Sequence, residues 1–345
     1  MTVLGASLLE DRVAFTVWAP RCRSVDVVVE GRRPEPLTPG EGGLYQVTLA
    51  RVAPGAGYHY RLDGVRFRPD PASRWQPEGV HGASVVVDPG RFMWTDQDFR
   101  GVAPADLVFY ELHVGTFTPT GTFEAIIPYL GAIADLGVTA LQLMPIAEFP
   151  GSRNWGYDGV HLFAPQSTYG GPRGLRRLVD ACHACGLSVF LDVVYNHLGP
   201  EGNYLAEYGP YFTDRAATRW GPAVNFDGEG SPGVRRHIVD NGRAWVREFH
   251  IDGFRLDAVH AIHDASPVHI LTEFAPRPRA PGGASTLSRN LTTTTGASCC
   301  RPATAGSAST RCGRTTSTTR SATGSPARRS ATTPTSPATV TSRAR

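Results

Sequence analysis

Short runs of hydrophobic residues with polar positions between them dominate the first ninety residues. Val13–Trp18 and Val25–Glu30 are largely apolar, Leu44–Leu49 alternates, and prolines and glycines separate the runs. Period-two alternation that is bounded by turn residues is typical of β-strands with one buried face. The pattern predicts a small all-β sandwich over residues 1–95.

From Leu107 onward, strand-like and helix-like segments alternate. Nearly continuous apolar runs predict four strands, and amphipathic segments between them predict helices: strands at 107–114, 139–146, 187–195 and 251–259, helices at 122–137, 174–186 and 234–250. Strands that are apolar throughout, with helices between them, are typical of a parallel sheet that is covered on both faces. Residues 96–275 are therefore predicted to form a second domain of the α/β class.

Polar side chains gather where two of the predicted strands end. The third strand ends in Asp192–His197 (D-V-V-Y-N-H), and the fourth lies in Gly253–His260 (G-F-R-L-D-A-V-H). Because residues two apart in a strand face the same side, Arg255 and Asp257 are predicted to project together. A neighbouring arginine favours the ionised form of a carboxylate, which suits a nucleophile. Taken alone, the pair would fit a structural ion pair equally well.

These segments resemble the signature regions of the α-amylase superfamily, glycoside hydrolase family 13. Asp192–His197 and Gly253–His260 resemble its first two regions, and Gly156–Gly159 (G-Y-D-G) resembles its tyrosine-bearing loop after strand two. Further segments are similar to the maltooligosyltrehalose trehalohydrolases within that superfamily: 68–82, 109–118 and 198–205. The resemblance covers about residues 10–275.

The resemblance implies a carbohydrate-binding-like β-sandwich followed by strands 1–4 of a (β/α)8 TIM barrel. Asp257 would be the nucleophile, Arg255 would hold its carboxylate, and Asp192 and Asn196 would shape the loop. The glucose ring at the cleaved position would stack on Tyr157. Its hydroxyl groups would form hydrogen bonds with Asp158, His197 and His260. In a barrel, the loops after the strands build the active site.

The implied reaction is retaining hydrolysis of the α-1,4 bond next to the terminal trehalose unit of a maltooligosyl trehalose, an α-1,4-glucan derivative. Such chemistry requires neither a cofactor nor a metal. Residues 1–275 contain 23 arginines against 31 acidic residues, a balance that does not suit nucleic-acid binding. No stretch of 18 apolar residues and no leader-like start are present, so a cytoplasmic protein without membrane contact is expected.

Retaining chemistry also needs a second carboxyl group as general acid, about 5 Å from the nucleophile. The resemblance places it on the next strand, one βα unit of about 30 residues beyond Asp257. That position falls within residues 276–345, which contain 11 arginines and neither an acidic nor an aromatic residue. Glu273 comes too early in the chain and is not assigned this role. The general acid is therefore predicted to be missing from this chain, which would then be inactive.

Three other interpretations remain open. The chain would equally be related to a glycogen branching enzyme or to an isoamylase-type debranching enzyme, which share the predicted sandwich. It would also fit a non-catalytic remnant, because half of a parallel barrel leaves an open sheet edge. A protein that interacts through its basic tail is a third interpretation, and the complete absence of lysine argues against it.

Residues 276–345 are rich in Thr, Ser, Arg, Ala and Pro, and they are predicted to be disordered and to be an out-of-frame translation of a GC-rich gene. The change in composition comes just before the strand that should carry the general acid. We predict that another frame past codon 275 stays open and encodes a hydrophobic strand ending in Glu within about 30 codons. Reading the DNA in all three frames tests this. A frame that closes, or one without such a strand, would make the hypothesis wrong.

Overall fold

The N-terminal part of the protein is a sandwich of two antiparallel sheets. The computed structural model describes residues 3–274 and the backbone of Thr292–Thr295. The first nine strands are β1 Gly5–Leu9, β2 Arg12–Trp18, β3 Val25–Val29, β4 Glu35–Pro36, β5 Thr38–Pro39, β6 Leu44–Ala50, β7 Gly57–Leu62, β8 Arg66–Arg68 and β9 Ser84–Val85. One sheet has the order β1-β2-β6-β5, and the other has the order β4-β3-β7-β8 with β9 against β7. The predicted sandwich is confirmed.

The second part is built around a parallel sheet. Its strands and hairpins are β10 Phe109–Leu112, β11 Ala140–Leu143, β12 Ala147–Glu148, β13 His161–Pro165, β14 Ser188–Val193, β15 Phe212–Thr218, β16 Gly221–Val224, β17 Gly253–Leu256 and β18 Thr292–Thr295. Strands β10, β11, β14, β17 and β18 lie side by side in that order, and each neighbouring pair is parallel. All six residues of β14 are buried, as expected for a strand that is covered on both faces.

Helices occupy the connections between these strands. They are α1 Val114–Phe117, α2 Phe123–Ile126, α3 Leu130–Asp135, α4 Gly171–Ala184, α5 Leu205–Tyr208, α6 Ser231–Phe249 and α7 Ile270–Phe274. Within the described part of the chain, none is long and apolar enough to cross a membrane. The helix predicted over 122–137 begins and ends as expected, with Thr122 accepting from the Ala125 N–H and Gly137 at φ 84°. A 3-10 turn at Ile127–Tyr129 divides it, because Pro128 has no N–H to donate.

The predicted disordered tail lies almost wholly outside the residues that the structure describes. Its described part is β18, which pairs in parallel register with β17 from Gly253 opposite Thr292 to Leu256 opposite Thr295. The prediction of no regular structure is wrong for these four residues. Threonine is β-branched and favours strands, a local preference that the low apolar content of the surrounding segment conceals.

The sandwich and the parallel sheet are joined by buried polar and aromatic contacts. Arg74 is 7% exposed and donates to Glu248 of α6 at 3.0 Å, and it also donates to the Leu4 and Ala72 carbonyls. Trp18 packs so closely on α6 that a Cβ added at Gly233 would lie 2.1 Å from its ring. The two parts, which were predicted as separate domains, lie within one compact unit.

A buried cluster fixes the segment that links the two parts. Each ring nitrogen of His183, at the end of α4, faces a carboxylate oxygen: Nδ1 is 2.8 Å from Asp96 and Nε2 is 2.9 Å from Asp252. The same Asp96 oxygen is 2.8 Å from Nδ1 of His250, which follows α6. One buried carboxylate thus ties the linking segment to two helices at once.

We predict that Asp96→Asn lowers the free energy of unfolding by about 3–5 kcal/mol, because it removes the charge that both histidines face inside the protein. Urea denaturation measures the change. The matched control is Asp98→Asn, two residues away and exposed, which should change stability by less than about 0.5 kcal/mol. Equal small effects for the two variants would contradict this role for Asp96.

Candidate active site

Arg255 lies at the centre of a polar cluster where two neighbouring parallel strands end. The register of β14 and β17 places Asp192 directly opposite Arg255. Nη1 of Arg255 donates to Asp192 Oδ2 at 2.5 Å and to Asp257 Oδ1 at 3.1 Å. Asp257 follows the last residue of β17, and its N–H donates to the Val193 carbonyl at 3.0 Å. The predicted projection of Arg255 and Asp257 to one side is confirmed.

Asp192 supports this cluster from beneath. Its side chain is fully buried, and Oδ2 also accepts from the Tyr157 hydroxyl at 3.0 Å. Burial raises the pKa of Asp192 to about 7, although Arg255 and the Tyr157 hydroxyl both lower it. A raised pKa is typical of a general acid, but a general acid must reach the leaving oxygen, and a fully buried carboxyl group does not. Asp192 therefore positions Arg255 and Tyr157.

Asn196 and His197 hold Asp257 from the other side. The Asn196 amide donates to the Asp257 carbonyl at 3.0 Å and to its Oδ2 at 3.1 Å. His197 Nε2 is 2.8 Å from the Tyr157 carbonyl, and its Nδ1 pairs with the Asn196 side-chain oxygen. Burial lowers the pKa of His197, against the opposing effects of that carbonyl and of Asp257. Since both ring nitrogens have partners, the predicted contact of His197 with a sugar hydroxyl requires one of these bonds to open.

Trp220 is a site residue that the sequence analysis did not identify. It lies in the turn of the β15–β16 hairpin, stacks on His197 with ring centres 3.8 Å apart, and donates from Nε1 to Asp158 Oδ1 at 2.9 Å. The other Asp158 oxygen accepts from Asn154 at 2.6 Å. In the sequence, the feature that could have identified Trp220 is a tryptophan within a long, glycine-rich connection. The residue is 42% exposed.

His260 stands apart from this network. It lies in the 3-10 turn Val259–Ala261, is exposed, and has no hydrogen bond or ion pair with any residue described. The preceding Ala258 has φ 41°, a conformation that non-glycine residues rarely adopt and that is common at functional sites. This strained turn comes directly after Asp257. The described residues contain no group of three ligands that would hold a metal.

The general acid was expected near position 287, which lies outside the described residues. In the described sheet, β18 lies next to β17, and all four of its residues are threonines. Glu273, the last acidic residue of the chain, is 2.8 Å from Arg235 and joins α7 to α6.

Known proteins are similar to this chain over the segments that form the sandwich and the parallel sheet. Residues 86–219 match the family model described as alpha amylase, catalytic domain. The malto-oligosyltrehalose trehalohydrolase of Saccharolobus solfataricus is 52% identical over 271 residues, which cover 79% of this chain and 48% of the relative. The chain belongs to the alpha-amylase family. The trehalohydrolase of Deinococcus radiodurans is 49% identical over 285 residues, or 82% of this chain and 46% of the relative.

Solved structures of the family agree with the observed fold. A Salmonella typhimurium protein assigned as an alpha amylase superimposes with a TM-score of 0.79 at 40% identity, over 86% of this chain and 50% of that one. The chain thus spans about half the length of the relatives it matches. Both the sandwich and the parallel sheet are shared with the alpha-amylase family.

We predict that Tyr157→Phe lowers the free energy of unfolding by about 1–3 kcal/mol above pH 7 and by less below it. Burial raises the pKa of Asp192 to about 7, so the carboxylate is charged and needs the Tyr157 donor mainly above that pH. Urea denaturation on either side of pH 7 measures the difference.

The control for this experiment is Tyr110→Phe. The Tyr110 hydroxyl is half-buried and has no hydrogen bond with the residues described, so its loss should be equal at both pH values. A loss for Tyr157→Phe that is independent of pH would show that Asp192 does not depend on this hydroxyl.

Proposed function

We propose that this chain is part of a maltooligosyltrehalose trehalohydrolase, a retaining glycoside hydrolase that releases trehalose from the end of a maltooligosyl trehalose. The observation that carries the proposal is the Asp257 carboxylate, which Arg255 holds at 3.1 Å and Asn196 holds at 3.1 Å at the carboxyl edge of a parallel sheet. A cationic donor and a neutral amide donor fix this carboxylate and leave it partly exposed. We further propose a cytoplasmic location.

In the first step, a carboxylate oxygen of Asp257 bonds to the anomeric carbon of the glucose at the cleaved position. The bond from that carbon to the trehalose oxygen breaks, and this oxygen takes a proton from a general acid. Water then hydrolyses the glucosyl ester with the same group acting as base, so that configuration is retained. Arg255 keeps the carboxylate oriented in both steps.

The remaining site residues supply recognition of the sugar. Tyr157 is the stacking surface for the glucose ring, and its hydroxyl bond to Asp192 fixes the ring in position. Asp158, His197 and His260 are proposed to bind hydroxyl groups. Trp220 covers Asp158 and His197 in this structure, so its displacement or its stacking against the next sugar unit accompanies substrate binding.

We predict that Asp257→Asn lowers trehalose release by several orders of magnitude in a chain completed to the length of its relatives, because the amide does not attack the anomeric carbon. Trehalose released from maltotriosyl trehalose is the measurement, and NMR of the first-formed anomer reports retention. The control variant is Asp135→Asn on the exposed surface of α3.

Near-normal turnover of Asp257→Asn would make the nucleophile assignment wrong. Formation of α-1,6 bonds from a linear glucan would instead identify a branching enzyme, and their preferential cleavage would identify a debranching enzyme. Each result replaces the proposed substrate while leaving the family membership in place.

We also predict that the 345-residue chain alone does not hydrolyse maltooligosyl trehalose. The described strand next to β17 supplies no carboxyl group, and without a general acid the leaving oxygen is not protonated. Purified chain is assayed beside its Asp257→Asn variant. Activity above that variant would contradict the prediction and would require another proton donor.

A further inference from the structure

The β15–β16 hairpin, which carries Trp220, has buried residues only at its base. None of residues 213–222 is buried, whereas the last two residues of β16 are. The base continues into Asn225, which is 3% exposed and donates to the Pro210 carbonyl at 2.9 Å. A segment that buries no side chain opens at a low cost in free energy, while a buried base stays in place.

The pairing of the two hairpin strands is interrupted in the middle. The register shifts between Thr213 and Ala217, so residues 214–216 form a bulge. A bulge bends its strand and redirects the side chains that it carries. Arg215 is the central residue of this bulge, and its side chain reaches out of the hairpin to Asp227.

Polar and aromatic side-chain contacts join this segment to the rest of the described chain. Trp220 stacks on His197 and donates to Asp158. Arg215 forms an ion pair with Asp227, in which Nη2 donates to Oδ1. No other side chain of the segment has a hydrogen bond, ion pair or ring stack with another part of the chain that the structure describes. Because the segment buries nothing, these contacts determine whether it lies over the site.

The two partners of the ion pair are held very differently. The Asp227 side chain is 14% exposed, and its other oxygen accepts from the Ala265 N–H at 2.9 Å. The neighbouring Asp264 side chain is fully buried and pairs with Arg235 at 2.7 Å, so Asp227 is joined to a fixed part of the fold. The Arg215 side chain, by contrast, is 58% exposed. An exposed ion pair contributes little free energy and is screened by salt, which suits a contact that has to open.

We propose that residues 213–222 are a lid over one side of the candidate site, and that the ion pair of Arg215 with Asp227 is the latch that keeps the lid closed. With the lid closed, Trp220 covers two of the residues that are proposed to bind sugar hydroxyl groups. With the ion pair broken, the lid moves about its fixed base and uncovers them. Arg215 and Asp227 are thus positioning residues that act through Trp220. Sugar binding by the uncovered residues rests on the proposed function, whereas the lid rests on its contacts alone.

Hydrogen–deuterium exchange of the 345-residue chain measures the opening of the lid. Asp227→Asn and Arg215→Gln should each speed the exchange of the lid amides about two- to fivefold, the effect expected from the loss of an exposed ion pair. Salt at about 1 M should speed exchange in the parent chain and change it little in these two variants. Arg215→Lys keeps the charge and should restore most of the protection.

The fluorescence of Trp220 is the second readout. Its contribution is the difference between a chain and the same chain with Trp220→Phe, measured with and without Asp227→Asn. Acrylamide should quench this contribution more strongly without the latch, because the indole no longer stacks on His197. The matched control is Asp26→Asn, which breaks the ion pair with Arg61 on the sandwich and removes a side chain that is 16% exposed. This control should leave both readouts of the lid unchanged.

Three results would overturn the proposal. The first is unchanged exchange of the lid amides in both latch variants. The second is faster exchange throughout the fold, which would identify a general stabilising role for the ion pair. The third is faster exchange of the lid without stronger quenching of Trp220. None of these measurements uses a sugar, so a failure of the proposed substrate is distinguishable from a failure of the lid.

Discussion

The active-site geometry depends on the register between β14 and β17. This register places the Arg255 guanidinium opposite Asp192 and beside Asp257, so that one nitrogen serves both carboxylates. Because side chains alternate between the faces of a strand, a shift of one residue would turn Arg255 away from both. Asp257 is thus positioned by backbone pairing first and by side-chain charge second.

Burial determines which of the two carboxylates is available for chemistry. Asp192 lies beneath Arg255, where Arg255 and Tyr157 donate to its Oδ2, and burial raises its pKa to about 7. Asp257 remains 18% exposed above the same guanidinium. Two aspartates that share Arg255 therefore differ in accessibility: the buried one contacts Arg255 and Tyr157, and the other remains open to solvent, as the proposed nucleophile must be.

The sequence predicted the parts of the fold that follow from local periodicity. The strands, and the projection of Arg255 and Asp257 to one side, follow from the spacing of residues two to four positions apart. The structure confirms both. The contacts of His197 with Tyr157 and of Trp220 with Asp158 join residues 40 and 62 positions apart, so local periodicity does not predict them. The break at Pro128 was readable, since proline inside a helical pattern predicts an interruption. The strand at Thr292–Thr295 was not, because four β-branched residues lie in a segment whose composition predicts no regular structure.

Because the chain contains no lysine, arginine supplies every side-chain cation apart from histidine. The planar guanidinium group has several N–H donors, so a single arginine joins several elements. Arg74 joins the sandwich to α6, Arg235 joins α6 to α7, and Arg255 joins two strands to the Tyr157 loop. In each case a carboxylate balances the buried charge. Arg176 is as buried as Arg74 and Arg235, but only a carbonyl and an aromatic ring contact it directly. No carboxylate contacts Arg176 directly, so the charges of Glu248 and Asp88 act on it only across a longer distance, and burial lowers its pKa against them.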